Sequence, residues 1–323
     1  MATQQIPRPP VAIDRVFEDT SIVEALLRAH QPFWPVQRYT STNAEYATLS
    51  GSRTASAPII APVFRGDWAR LGEVREGVEP VLQHEPFVDG ARRLFDAEVV
   101  RPHTVYVNLT WQLPFEQGRG HTDIPAFRGF DRTTVPIAFL TLIGQSGLFE
   151  AERVKIATAV GWFYEGDGGG FEYWPDGPAA PSVVHERDIH NTAIVGDNDF
   201  MWHRVRPTGR VEDGMVTLTL DDELRTDDGR SWWIDSDRKR VAEFDRSQVR
   251  VSLSWKADVF TDEADRRRHD EHLDDLDLTK VLRRLSDDLE ERGSDPTPPS
   301  VDDPFHDEAF LDRLIDAYMH YPG

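Results

Sequence analysis

The chain has no cysteine. That removes disulfides, thiolate catalysis and any zinc or iron–sulfur site built on sulfur, so a metal held here must sit on His, Asp or Glu. Lysine is nearly missing as well: it occurs only at Lys155, Lys239, Lys256 and Lys280, and arginine carries the rest of the positive charge. An anion pocket would therefore use guanidinium forks, which grip carboxylates through paired hydrogen bonds. Positive charge as a whole is scarce, with 36 Lys and Arg against 57 Asp and Glu and a net charge of −21. A surface of that sign repels nucleic acid and anionic membrane over most of its area, which argues against either as the main partner. Nowhere do about 18 apolar residues run together, and the N-terminus lacks a basic start followed by an apolar stretch. A soluble, cytoplasmic protein is expected.

What is present suits a globular chain: 323 residues, 39% of them hydrophobic, enough for one large unit with extensions. Residues 1–15 are proline-rich and read as a loose arm. Residues 16–96 read as a helical or irregular support region, opening on an amphipathic helix capped near Asp19. From 97 to 260 the pattern turns to short runs rich in Val, Ile, Thr and aromatics between Gly, Pro, Asp and Asn clusters, which predicts strands. The clearest are Thr104 to Trp111, Lys155 to Tyr164, Thr192 to Val195 and Arg250 to Trp255. Val135 to Phe149 is apolar throughout and fits a helix or a buried strand equally. A polar segment at about 209–248, with strand-like stretches at Met215 to Leu220 and Arg230 to Asp235, reads as an inserted hairpin or a lid over the substrate. Residues 261–323 form a charged helical extension, with a last helix at about 307–319, expected to brace the β-core.

Within this frame one triplet carries chemistry, His121-Thr122-Asp123. On a strand and the turn after it, residues two apart share a face, so both side chains can reach one point. Two histidines and one carboxylate are the ligands of a ferrous centre that keeps three positions open for a bidentate co-substrate and oxygen. A His-x-Asp triplet is expected about once by chance in so acidic a chain. A second does occur, His272-Leu273-Asp274, inside a charge run best read as a solvated helix face. His121 is set apart by three downstream motifs in a fixed order: Gly168-Gly-Gly-Phe-Glu-Tyr-Trp, then Asn198-Asp-Phe-Met-Trp-His203, then Arg250-Val-Ser252-Leu-Ser-Trp255.

That order resembles the iron(II)- and 2-oxoglutarate-dependent oxygenases. The resemblance implies a mainly β fold with flanking helices (α+β), a double-stranded β-helix jelly-roll core with the metal at its open end and helices from both termini outside one sheet. It implies Fe(II) on His121, Asp123 and His203, with 2-oxoglutarate, O2 and a small-molecule substrate as the partners. Arg250 would clamp the distal carboxylate of 2-oxoglutarate with help from Ser252, and Asn108 would add a hydrogen bond to the co-substrate. Hydroxylation of an unactivated C–H bond is the implied reaction, because related halogenases replace the carboxylate ligand with Gly or Ala and this chain keeps Asp123. One departure stands out: Arg250 comes 47 positions after His203, farther than is usual in the family. Arg210 has the more usual spacing but sits in a turn-like Arg210-Val-Glu-Asp-Gly, whereas Arg250 lies in an alternating strand.

Two other readings keep the barrel: a cupin-type hydrolase or isomerase on another metal, and a noncatalytic ligand-binding barrel. Arg-x-Ser would have no co-substrate to hold in the first. The remaining candidates have plainer explanations. His30, His84, His103, His185, His190, His306 and His320 read as surface or structural, with His190 the nearest to a substrate role. Trp162, Tyr173, Trp174, Trp202, Trp232 and Trp233 read as packing. Arg119 and Arg128 read as solvated, and Gly168 to Gly170 as a strand-entry turn, since no Lys-Ser/Thr comes after them.

Overall fold

Alternation of apolar and polar residues places successive side chains on opposite faces of a sheet, and that alternation sets the layers here. A computed structural model describes residues 6–39, 60–70, 72–111, 113–114, 118–213, 216–299 and 304–322. The strands are β1 (Val11–Ile13), β2 (Trp34–Pro35), β3 (Val63–Arg70), β4 (Glu73–Val74), β5 (Val99–Trp111), β6 (Ala126–Phe127), β7 (Arg153–Trp162), β8 (Phe171–Tyr173), β9 (Val183–His185), β10 (Thr192–Gly196), β11 (His203–Val205), β12 (Glu223–Thr226), β13 (Trp232–Ser236), β14 (Lys239–Phe244) and β15 (Val249–Phe260). The α-helices are α1 (Ser21–Ala29), α2 (Glu79–Leu82), α3 (Glu85–Phe95), α4 (Ile137–Ser146), α5 (Glu263–Asp270), α6 (Leu278–Glu291) and α7 (Glu308–Tyr318).

A nine-stranded antiparallel sheet runs β1-β10-β7-β15-β5-β3-β2, with β4 on β3 and β6 on β7. A small sheet, β11-β8-β9, packs across it, with the Trp162 ring 5.3 Å from Phe171 and 5.1 Å from His185. The result is a mixed α+β fold of facing antiparallel sheets, as expected. On the central strand β15, Val249, Val251, Leu253 and Trp255 enter an outer core with Phe87, Ala91 and Leu94 of α3, while Arg250, Ser252, Ser254 and Lys256 turn inward. Its neighbour β5 does the same, with Val105, Val107 and Leu109 outward. Register places Ser252 against Asn108 on one side and Trp162 on the other, so the inner face carries a polar pair beside a buried tryptophan.

Several expectations need correction. Of the proposed loose arm, residues 1–5 lie outside the described residues, but Val11–Ile13 pair with Val195, Ile194 and Ala193 as an edge of the large sheet. The support region is not only helical or irregular, because β3 lies beside β5 in the same sheet. The insertion forms a separate sheet, β12-β13-β14, and is not a lid over the inner face. Its Leu224, Trp232, Ile234 and Phe244 join the outer core, on the side of β15 away from Arg250, because four large apolar side chains on one face must be buried somewhere. Residues 216–219 are not a strand, and Met215 and the Gln117 of the turn before His121 lie outside the described residues. The run from Val135 to Phe149 contains α4. The C-terminal α6 and α7 pack not on the outer core with α3 but on α4, Phe149 and Phe127 of the edge strand β6, in a core of their own.

Trp255 joins the outer face of the sheet to the helices. It is fully buried, its ring lies 5.7 Å from Phe87, and its Nε1 donates to the Leu82 carbonyl at 2.7 Å. Trp255→Ala is expected to cost about 3–5 kcal/mol of unfolding free energy, read as a lower denaturant midpoint. A midpoint within error of the unsubstituted protein would mean that this contact is not part of the cooperative core.

Candidate metal centre

His121 and His203 are brought together by their own backbones. His121 N–H donates to His203 O at 3.0 Å and His203 N–H returns the bond to His121 O at 2.9 Å. Gly120, at φ +93°, lets the chain approach this closely, since a Cβ there would stand 3.0 Å from His203 O. Two residues on, Asp123 N–H donates to Asn198 O at 2.8 Å, which returns Asp123 to the face of His121. The ligand atoms of His121, Asp123 and His203 all lie within 4.8 Å of one another, with His203 buried and the other two partly so. Among the described residues this is the one cluster of metal-binding side chains.

Hydrogen bonds around these groups decide which atoms face the centre. His203 Nδ1 lies 2.9 Å from the Met201 carbonyl, which can only accept, so Nδ1 carries the proton and Nε2 keeps its lone pair. Lys256 Nζ at 2.7 Å and Thr158 Oγ1 at 3.2 Å both donate to Asp123 Oδ2. Asp123 Oδ1 faces His203 Nε2 at 3.9 Å. Burial, then the neighbouring His203, pulls His121 down to about 3, and burial also lowers His203. Burial opposes ionisation of Asp123, but Lys256 and His203 outweigh it and hold the carboxyl below its ordinary range. At neutral pH the three groups are two neutral imidazoles and one carboxylate, a donor set that fits a divalent transition metal.

Deeper between the sheets lies a second feature. Arg250 is 2% exposed, and its Nε donates to the Gly169 carbonyl at 2.5 Å. Gly169, at φ +69°, is required here, because a Cβ would meet Arg250 Cδ at 2.7 Å. Among the described residues no carboxylate pairs with this guanidinium, and burial draws its pKa down to about 10. Ser252 Oγ reaches the Asn108 carbonyl at 3.4 Å, and Asn108 Oδ1 is buried without a hydrogen bond from the described residues. A buried cation and a buried amide left in this state are costly unless a polar ligand completes them.

The structure separates the other candidates from this interior. Arg210 has a side chain 60% exposed, with Nε 3.8 Å from Glu212. His272 is 75% exposed and bonded to Asp275, while Asp274 pairs with Arg128, so the second His-x-Asp triplet does not converge. Arg128 is not solvated: it is buried, holding Asp274 through Nε and Nη2 and the Ala151 carbonyl. Arg119 is exposed. His190 lies beside Phe163 and Glu165, on the outer side of the sheet. Lys256 and Thr158 were missed from sequence, although Lys256 continues the inward phase Arg250, Ser252, Ser254 and is one of only four lysines.

Among solved structures the chain is similar to an oxidoreductase of the 2OG-Fe(II) oxygenase family from Burkholderia pseudomallei, at 12% identity over 78% of this chain and 85% of that one, with a TM-score of 0.38. It is also similar to a Pseudomonas putida prolyl-4-hydroxylase, at 12% identity over 78% and 93% of the two chains, with a TM-score of 0.33. A prolyl 4-hydroxylase from Phytophthora capsici matches at 12% identity over 96% of this chain and 77% of that one, with a TM-score of 0.34. No protein-family model and no curated protein matches the chain.

Two substitutions separate the two His-x-Asp triplets. His203→Ala is expected to abolish stoichiometric Co(II) uptake, measured by anaerobic titration of the visible spectrum, and His272→Ala to leave it unchanged. Cobalt binding that survives the first and falls with the second would move the centre to the exposed triplet.

Proposed function

We propose that the chain is an Fe(II)- and 2-oxoglutarate-dependent oxygenase that hydroxylates an unactivated C–H bond of a small organic substrate. The observation that carries this reading is the presence, between the two sheets, of a His-Asp-His centre and a buried guanidinium that has no acidic partner among the described residues. His121, Asp123 and His203 are the metal ligands. Arg250 takes the distal carboxylate of 2-oxoglutarate through charge-assisted hydrogen bonds from its terminal nitrogens, Ser252 and Asn108 border it, and Gly169 fixes the guanidinium by its carbonyl. Fe(II) at this site supplies oxidative decarboxylation of 2-oxoglutarate by O2, yielding succinate and carbon dioxide and placing one oxygen atom in the substrate as an alcohol.

The residues of the chain do the rest by placement. The backbone pair between His121 and His203 fixes two imidazoles on one side, and Asp123, held by Lys256 and Thr158, completes the set. The surrounding Trp162, Phe171, Ile194 and Met201 form an apolar wall that limits water around the inner face. A hydrolase or isomerase on the same three ligands would leave Arg250 without a function, so that reading is the weaker one.

The discriminating test is titration of 2-oxoglutarate into metal-loaded protein under nitrogen. Arg250→Ala should weaken the co-substrate by about 100-fold, about 2–3 kcal/mol, as expected for a lost buried charge-assisted contact, while metal uptake stays intact. Arg210→Ala should leave 2-oxoglutarate affinity unchanged. The opposite pattern would transfer the clamp to Arg210, and no binding by any form, with no succinate formed in air, would overturn the proposed activity.

A further inference from the structure

Asp123 has two oxygens, and the protein treats them differently. Lys256 and Thr158 stand side by side in register on β15 and β7, both on the inner face, and both donate to Oδ2. Oδ1 faces His203 Nε2. The lysine is held in place: its side chain is 19% exposed against 17% for Asp123, and the register of β15 against β5 shifts immediately after it, between Lys256 and Ala257. Lysine is rare in this chain, and an ammonium inside the sandwich is costly unless it has a specific countercharge.

A carboxylate can coordinate a metal through one oxygen or through both. With two histidines and one carboxylate oxygen, an octahedral centre keeps three positions free, two for a bidentate keto-acid and one for oxygen. With both carboxylate oxygens bound, one of those positions is lost. We infer that Lys256 is a positioning residue that restrains Asp123 Oδ2 and so limits the aspartate to one metal bond, preserving the site for co-substrate. The inference rests on the proposed metal centre and names a role for a residue outside the ligand set. Thr158 supports the same restraint through the second, weaker hydrogen bond.

The charge-assisted bond at 2.7 Å is what turning Oδ2 toward the metal must break. A methionine at 256 fills similar space without a donor, so Oδ2 becomes free to turn. Lys256→Arg keeps a cationic donor in reach of the same oxygen.

The experiment uses the full chain loaded anaerobically with Co(II), which reports coordination through its visible spectrum. Lys256→Met should still take up cobalt, show an altered cobalt spectrum before any co-substrate is added, and bind 2-oxoglutarate about tenfold or more weakly, the scale on which outer hydrogen bonds tune metal sites. Lys256→Arg should return both spectrum and affinity toward those of the unsubstituted protein. An unchanged cobalt spectrum in Lys256→Met overturns the inference, and so does a folded variant that no longer takes up cobalt, since the lysine would then hold the ligand in place altogether. If Lys256→Met does not fold, Lys256→Gln, which removes the charge, is read by the same two outcomes. The two claims fail separately: if 2-oxoglutarate does not bind even the unsubstituted protein, the altered cobalt spectrum of the variant still supports the restraint on Asp123, while the co-substrate reading falls.

Discussion

An ionised carboxylate taken out of water needs a specific partner, and Asp123 finds one in Lys256 at 2.7 Å. That pair anchors the candidate metal centre. It fixes Asp123 against the central strand of the large sheet, while the paired backbone bonds between His121 and His203 fix the opposite side. The aspartate is thus held from β15 and the histidines from the small-sheet side, so the centre sits where the two sheets meet. Removing either hold would leave a buried charge or an imidazole without orientation.

Arg250 poses the complementary problem. Its positive charge is buried more deeply, but the structure gives it a backbone carbonyl in place of a carboxylate. The inward phase of β15 therefore carries one cation closed by an ion pair, Lys256, and one, Arg250, without an acidic partner among the described residues. The polar groups named on the inner side are drawn from Arg, His, Asp, Asn, Ser and Thr, with Lys256 the one lysine among them. The outer phase of the same strand is apolar and carries α3, which is what allows the inner phase to be polar without loss of a core. The β12-β13-β14 sheet extends that outer core, and α6 and α7 brace the segment after Asp123 through Phe127 and Phe149.

Much of this could be read in the amino-acid order, because the informative features are local. Alternation over Arg250 to Trp255 gave the strand, the resemblance to the oxygenases gave Arg250 its place at the co-substrate, and the same phase carried on past Ser254 points Lys256 inward. The two His-x-Asp triplets could not be told apart by spacing; His203 distinguished them, and its contact with His121 is made across 82 positions of chain. Non-local pairing also hid the edge strand at Val11–Ile13, which is defined only by its partner at Ala193 to Val195. In Val63–Arg70 the alternation of Phe64, Gly66 and Trp68 with Arg65 and Asp67 was present, but a central glycine and the charges masked it. The destination of the insertion was not legible, since an apolar hairpin face shows that it must be covered and not by what.

The central claim is that the three ligands and the open guanidinium serve one bound pair, a ferrous ion and a 2-oxo acid. Fe(II) and 2-oxoglutarate added together under strict anaerobiosis test it most directly. The account predicts a visible metal-to-ligand charge-transfer band that requires both components and is absent in Asp123→Ala. No band from the folded, iron-loaded protein at saturating 2-oxoglutarate would contradict it.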